Sequence, residues 1–335
     1  MISAMRLKPF LVALCLVLLC TNVQAEWFKE SRGIMGTNID VDLWDTDIIH
    51  ARGCIEEVMG EMERINQTMS PYIKTSELYR INERAASEPV KISQEMFDLI
   101  TRSIKLSELS HGAFDITFAS IGYRYDYRKH VNPTDAQIKA SLQEINYRHI
   151  KLDAGHRTIR FDMPGVRIDL GGIAKGHAVD NSIALLQKCG IKDAMVTAGG
   201  DSRIIGDHDG RPWMTGIKDP RNKKDSIVVI PLVNTAISTS GDYERYFIKN
   251  GVRYHHILNP RTGKSVHSTR SVTIIGPDAT TTDGLSTTVF VMGPKDGLAL
   301  AEQLAGIDAV IIDNKGRIHY TSGLMPPSMT SQPKP

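Results

Sequence analysis

Three stretches of this sequence combine residue types that do chemistry. The first is Arg167-Ile-Asp-Leu-Gly-Gly-Ile-Ala-Lys-Gly176. It reads as a strand, Val166–Leu170, entering paired glycines with a helix, Ile173–Cys189, starting at once. Unpaired N–H groups at a helix start suit phosphate, and glycine lets the backbone come close to it. Lys175 would neutralise an anion there, and Asp169 at the strand end would hold a hydroxyl or a ring N–H. A tight strand–helix turn with a surface ion pair is the competing reading. The spacing is not that of a Walker loop, and Gly263-Lys264-Ser265 also lacks the glycine five residues earlier, where Leu258 stands. The second stretch is Thr281-Thr-Asp-Gly-Leu-Ser-Thr-Thr288 at the start of an apolar helix. Asp283, Ser286 and Thr287 stand at i, i+3 and i+4, so their oxygens share one face. Hard oxygens of that kind suit Mg2+; plain N-capping is the alternative. The third is Thr239-Ser-Gly-Asp-Tyr243 with Tyr254-His-His-Ile-Leu-Asn-Pro-Arg-Thr-Gly263. Here His256 could act as a base near neutral pH, or serve as a hydrogen-bonded structural histidine. Pro71-Tyr72 and Gly112-Ala-Phe-Asp115 add an aromatic ring and an acid on loops.

The elements that must position these residues follow from periodicity. Gly33–Trp44 alternates as one strand, and Asp45-Thr-Asp47 reads as a helix start. Ile55, Val58, Met59, Met62, Ile65 and Met69 recur at helical spacing, up to Pro71. A second helix runs from Ser93 to His111-Gly112. From His149 strands dominate, at 149–152, 158–162, 194–198, 213–217, 227–233, 253–258, 272–275, 309–312 and 317–320. Helices are expected at 282–292 and 295–304. This segregation favours an α+β fold over a doubly wound sheet.

Composition removes several classes. The chain has 335 residues with 40 Lys plus Arg against 38 Asp plus Glu, a formal +2, so no basic footprint for nucleic acid exists. Four Cys cannot staple a chain of this length, and no Cys-x-x-Cys or His-rich cluster suggests zinc. Arg6 and Lys8 precede an apolar run, Phe10–Cys20, followed by Val23-Gln-Ala25 and Glu26, the order of a secretory signal. Export would place the protein in the periplasm, with residual inner-membrane association open. The domain is then expected over 26–322, with a disordered, proline-bearing tail from 323 to 335. Loss of Arg6 and Lys8 takes the formal charge to neutral. Cys54 and Cys189 remain.

Taken together and in order, Met35-Gly-Thr37, Ser76-Glu-Leu-Tyr-Arg-Ile-Asn82, Gly112-Ala-Phe-Asp115, Asp169-Leu-Gly-Gly-Ile-Ala-Lys-Gly176, Ala198-Gly-Gly-Asp201, Thr239-Ser-Gly-Asp-Tyr243, His256-Ile-Leu-Asn-Pro-Arg-Thr-Gly263 and Asp283–Thr287 resemble the ApbE family. That family comprises FAD:protein FMN transferases, formerly labelled thiamine-biosynthesis lipoproteins. The resemblance covers nearly all of the chain after the signal. It implies a T-fold-related arrangement of mixed sheets with packed helices. It also implies Mg2+-dependent cleavage of FAD and attachment of FMN to a Thr or Ser hydroxyl of a target flavoprotein, with AMP released. The family pattern puts Met35, Tyr72, Ala113, Phe114, Asp115, Asp169, Lys175 and Ile257 at the flavin nucleotide. It puts the Gly172 carbonyl, Asp283, Ser286 and Thr287 at the metal, and His256 at the acceptor hydroxyl as base. Asp283 thereby joins His256 as catalytic. Implied targets include subunits of the sodium-pumping NADH:quinone oxidoreductase and of the RNF complex. Two departures stand out: His177 for the usual Tyr, and Asn259 for the common Asp. An Mg2+-dependent FAD pyrophosphatase and a periplasmic flavin-binding protein without turnover are the alternatives that share these residues.

Overall fold

The computed structural model describes residues 26–222 and 225–325. The expected signal segment and the tail from 326 lie outside them. Eight strands form the main sheet: β1 (Glu26–Ile34), β2 (Thr37–Asp45), β3 (Ala194–Ala198), β4 (Asp201–Ile205), β5 (Ala236–Gly241), β6 (Thr269–Gly276), β7 (Asp308–Asp313) and β8 (Ile318–Tyr320). They lie in chain order, and every neighbouring pair is antiparallel. Seven α-helices are present among the described residues: α1 (Ile48–Met69), α2 (Glu77–Arg84), α3 (Gln94–Leu109), α4 (Ala119–Gly122), α5 (Asp135–Ser141), α6 (Ala174–Lys188) and α7 (Ala279–Gln303). The α+β expectation holds, because a sequential antiparallel sheet needs no βαβ crossovers.

Both faces of the sheet are covered. Val196, Ala198, Ile205 and Ala236 join the core beneath α1 and α6. On the other face Ile204 and Ile237 pack with Trp213 and Leu232 of an antiparallel ribbon, Trp213–Lys218 against Ser226–Leu232. Helix α1 buries the apolar stripe that its spacing announces: Ile55, Val58, Met59, Met62, Ile65 and Met69. Asp47 caps it, accepting from the Ile49 and His50 amides, and Ser93 caps α3 in the same way. Cys54 and Cys189 are free thiols, with Cys54 on the buried face of α1; burial, with Cys189 beside it, pushes the Cys54 thiol up to about 12.

Several elements differ from the sequence reading. The single strand over Gly33–Trp44 is a hairpin, with Ile34 opposite Thr37. Its two-residue turn, Met35-Gly36, has φ of 55° and 69°, the left-handed geometry that a tight hairpin demands. Val166–Leu170 is not a ladder strand. Side chains hold it instead: Asn82 accepts from the Ile168 amide at 2.7 Å and donates to its carbonyl at 2.9 Å. The Arg253–Leu258 strand is broken, into Val252–His255 and Leu258–Asn259, leaving His256 and Ile257 between ribbons. The two expected helices 282–292 and 295–304 are one element kinked at Gly293, φ 83°, before Pro294. Strands β4 and β5 lie outside the strands expected from the sequence. The β5 sequence, Ala-Ile-Ser-Thr-Ser-Gly, is polar because its serine hydroxyls bond to α7 and the Thr239 hydroxyl bonds to Thr273 of β6. The described start of the tail carries a turn of 3-10 helix, Ser322–Leu324, held by Glu302.

Candidate functional site at one end of the sheet

The α6–α7 junction is built before any ligand is considered. Asp180 of α6 accepts from the Ala279 and Thr280 amides at 2.9 and 2.8 Å and pairs with Arg203 of β4 at 2.7 Å. This carboxylate satisfies amides that the start of α7 would otherwise leave open. Close approach also requires Gly176. A Cβ there would lie 2.1 Å from the Ala279 carbonyl oxygen and 2.8 Å from Asp283 Cβ. The Gly176 amide instead donates to Asp283 Oδ2 at 3.0 Å.

Alternation along β4 points Asp201, with Arg203 and Ile205, at this junction. Lys175 Nζ donates to Asp201 Oδ2 at 2.6 Å and stands 3.3 Å from both oxygens of Asp283. Both carboxylates are 2% exposed. Burial, and then the Asp201 charge, raise the Asp283 carboxyl to about 7, against the pull of Lys175. Burial would lower the Lys175 ammonium, but the two carboxylates outweigh it and raise it. Two buried carboxylates therefore share one half-buried cation.

Hydroxyls complete the cluster. Ser240 of β5 bonds to Ser286 at 2.9 Å and to Thr287 at 3.3 Å, and Ser286 donates to the Asp283 carbonyl at 2.9 Å. Gly172 sits against them. A Cβ on it would come 3.3 Å from the Phe114 ring and 3.4 Å from Thr287 Oγ1. Gly172, Asp283, Ser286 and Thr287, the expected metal group, thus converge. Among the described residues no three His, Cys, Asp or Glu side chains form a ready-made cage. The donor set is one reachable carboxylate, hydroxyls and a backbone carbonyl, all hard oxygens, beside an excess of buried negative charge. That chemistry fits Mg2+, which takes few protein ligands and keeps water or phosphate oxygens.

The expected nucleotide residues fall around the same end. Asp169 is half-buried and accepts from the Gly171 amide at 2.6 Å; burial raises its carboxyl, and Arg245 opposes that shift. Helix α6 starts without a side-chain cap. Tyr72 is 81% exposed, with its hydroxyl in the field of Asp169 and Arg245. Met35 lies in the β1–β2 turn, whose Gly36 carbonyl faces Arg245 Nη2 at 3.5 Å. Ile257 is buried in the core with Val289 and Phe290, and Ala113 packs against that core. Phe114 is buried against Gly172. Asp115 is committed to structure: its carboxylate takes the Thr117 amide and hydroxyl and the Tyr147 amide at 2.9, 2.6 and 2.8 Å.

His256 donates its backbone N–H to the Arg245 carbonyl at 3.1 Å, and its Nδ1 is buried with no partner. Burial first, then Arg245 and Lys175 among its neighbours, push its imidazole down to about 3. The ring is a neutral base with a free nitrogen. His177 points elsewhere, bonding Glu95 at 2.9 Å between α6 and α3. Asn259 Oδ1 accepts from the Arg261 amide at 2.9 Å, so it closes its turn as an aspartate would. Neither departure removes a group from the centre.

Sequence reasoning gave no role to Asp201, Ser240, Asn82 or Arg245. Asp201 had a signal, since it follows Gly199-Gly200, and a Cβ on Gly200 would strike the Thr239 carbonyl oxygen at 2.5 Å. Asn82 ended a quoted motif, and Arg245 had no signal beyond following Tyr243.

An antiparallel α+β scaffold carrying a buried hard-oxygen centre beside an uncapped helix start defines the class. The comparisons specify it. A model of the ApbE family matches residues 35–311. A FAD:protein FMN transferase of Vibrio cholerae is 35% identical over 306 residues, 88% of this chain and 91% of that protein. One of Haemophilus influenzae is 32% identical over 305 residues, 87% of this chain and 88% of that protein. Among solved structures, the ApbE protein of Thermotoga maritima aligns with a TM-score of 0.83 at 36% identity, covering 89% of this chain and 98% of that one. The flavin transferase ApbE from Vibrio cholerae aligns at 0.79 and 32% identity with the same coverage. The chain belongs to the ApbE family, and it is a transferase enzyme.

Proposed function

We propose that this enzyme transfers FMN from FAD to a Thr or Ser hydroxyl of an exported flavoprotein, with AMP as the leaving group. The observation that carries this is the buried Lys175–Asp201–Asp283 cluster next to the Gly171-Gly172 turn and the Ser240/Ser286/Thr287 hydroxyls. A binding protein without turnover has no need of charge placed for a leaving group. Asp283, Ser286, Thr287 and the Gly172 carbonyl would hold Mg2+, which supplies Lewis-acid stabilisation of phosphate oxygens when bound. Lys175 keeps its positive charge beside those oxygens. Tyr72 offers an exposed ring face to a planar ring, and Asp169 an acceptor to a ring N–H. Neutral His256 takes the acceptor hydroxyl's proton as that oxygen bonds to the FMN phosphorus and the bond to the AMP oxygen breaks. The order of Arg6, Lys8, the apolar run and Val23-Gln-Ala25 supports a periplasmic site of action. Subunits of sodium-pumping NADH:quinone oxidoreductase or the RNF complex are the acceptors to try. Incubation with FAD, Mg2+ and such a subunit should add the mass of one FMN to a Thr or Ser. AMP and free FMN with no labelled protein would mean hydrolysis, and no AMP under any condition would mean binding alone.

A further inference from the structure

A second charged site lies beside the first. Between the loop after the Trp213–Lys218 strand, the end of β5 and the start of β6 is a cavity of about 150 Å³, lined by Arg221, Asp242, Arg253, His267, Arg270 and Asn314 among others. Asp242 is 6% exposed, and its two oxygens accept from Arg221 at 2.8 and 2.7 Å. Arg253 gives one N–H to the Asp242 carbonyl at 3.3 Å, its Nε stands 4.0 Å from Asp242 Oδ2, and its guanidinium lies 3.8 Å over the Tyr246 ring. Arg270 donates to the Asn314 carbonyl at 2.6 Å. Three arginines thus line a cavity that holds one carboxylate, which Arg221 alone grips with two bonds. The other acids nearby are occupied: Asp219 takes the Arg221 and Asn222 amides, Asp225 takes the Asn222 side chain, and Asp313 pairs with Arg317. Each guanidinium has five N–H donors in a planar fork. Arg221 spends its own on Asp242 and on the Pro220 carbonyl at 3.1 Å, whereas Arg253 and Arg270 each make one such bond and keep donors to spare.

Size and position narrow the occupant. Pockets that enclose whole small molecules run to roughly 300–1,000 Å³, so this one admits a single anionic group and its stem. Its lining segments adjoin those of the catalytic centre along the chain. Ser240, in the hydroxyl cluster, and Asp242, in the cavity, are two residues apart, about 7 Å of extended chain. Val266 on the cavity wall donates its amide to Ile257, next to His256, at 3.2 Å. The strand carrying Arg253 runs directly into His255 and His256. The reactant that must span both places is the protein acceptor, whose hydroxyl enters one while a nearby side chain reaches the other. We propose that the Arg221/Arg253/Arg270 cavity receives the carboxylate of an Asp or Glu side chain of the acceptor, setting which Thr or Ser is labelled. A planar carboxylate matches a guanidinium fork with two bonds. This rests on the transferase reading above for the identity of the reactant.

Two measurements test it separately. In the first, arginine side chains are labelled with 15N, and N-acetyl-aspartate N-methylamide is titrated in, with its asparagine analogue and inorganic phosphate as controls. Saturable shifts of the Arg221, Arg253 and Arg270 Nε–H signals are expected with the aspartate compound only, and their loss in Arg270→Gln. No shift overturns the proposal, and equal response to phosphate reassigns the cavity to phosphate and overturns the carboxylate. In the second, peptides with one threonine and a single aspartate walked along its flanks are offered with FAD and Mg2+, each against its asparagine twin. A best position with at least a tenfold preference for aspartate, falling to near one in Arg270→Gln, is expected. Labelling indifferent to that swap at every position overturns the proposal. Arginine shifts without labelling of any peptide or protein would instead count against the transfer reading.

Discussion

Lys175 Nζ and Asp201 Oδ2 meet at 2.6 Å, one from the first turn of α6 and the other from the first residue of β4. Asp283, from a third element 108 residues beyond Lys175, closes on the same ammonium. The pairing is the keystone between sheet and helices. Removing one partner of a buried pair strands a charge, at a cost of about 3–5 kcal/mol. Lys175→Met leaves two buried carboxylates facing each other, so it should unfold at clearly lower urea and lose FMN transfer. Urea titration and intact-mass labelling read the two effects. A variant with wild-type stability would show that the cluster is not held as described.

Asp283→Ala addresses the metal. The side chain supplies the one carboxylate among the expected ligands, so its loss should abolish labelling while far-ultraviolet circular dichroism is retained. Thr287→Val keeps shape and removes one hydroxyl, and should weaken Mg2+ affinity several-fold. Chelation of wild-type enzyme should stop labelling, and added Mg2+ restore it. Wild-type-like labelling by Asp283→Ala would sink the metal assignment.

Gly176→Ala tests the helix junction. The added methyl would stand 2.1 Å from a backbone oxygen and 2.8 Å from Asp283 Cβ, so α6 and α7 must separate. Overpacking of this kind costs typically 1–3 kcal/mol. It also pulls the Gly176 amide off Asp283. Lower stability together with weaker Mg2+ binding is expected; loss of stability alone would separate the packing from the site.

Much of this was legible in the sequence, for reasons particular residues make plain. The α1 stripe and the Gly293-Pro294 break leave strong local signals. Asp283, Ser286 and Thr287 were found because their spacing alone puts them on one helical face. Their convergence on Asp201 was not legible, since it depends on long-range pairing of β4 with β3 and β5. Strand β5 hid for the same reason: Ser238 and Ser240 contact Thr282 and Ser286, so polarity marks burial against α7 rather than exposure. Hairpin β1–β2 hid behind Met35, a residue seldom placed at positive φ.

Arg245 is the cation that the sequence did not flag. Its charge acts on Asp169, Tyr72 and His256, and its Nη2 faces the Gly36 carbonyl. A formally near-neutral protein must meet an anionic dinucleotide with local charge, and this exposed guanidinium is placed to do so. Charge-assisted bonds are worth about 1.5–3 kcal/mol. Arg245→Gln should therefore raise the Kd for FAD roughly tenfold or more by that figure, as read by flavin fluorescence. Unchanged affinity would remove Arg245 from the substrate site.

His255 makes the acid response of the fold predictable. It is 1% exposed, its Nε2 donates to the Val266 carbonyl at 2.5 Å, and its Nδ1 accepts from the Ile257 amide at 3.3 Å. A proton on Nδ1 would confront that amide and forfeit the bond. Burial therefore lowers the imidazole to about 4 from its ordinary 6.5, with the nearby Asp242 opposing and His267 and Arg253 assisting. The unfolded chain then binds a proton that the folded chain refuses, so stability falls as pH drops from about 6.5 toward 4. The slope approaches about 1.4 kcal/mol per pH unit for this one group. Above pH 7 both states are neutral there and the dependence vanishes. The urea midpoint should fall between pH 7 and pH 5 in wild type. His255→Asn, which cannot titrate, should start lower at pH 7 and fall less over the same interval. A parallel decline in the two proteins would place the acid sensitivity in other groups and show that His255 charges freely within the fold.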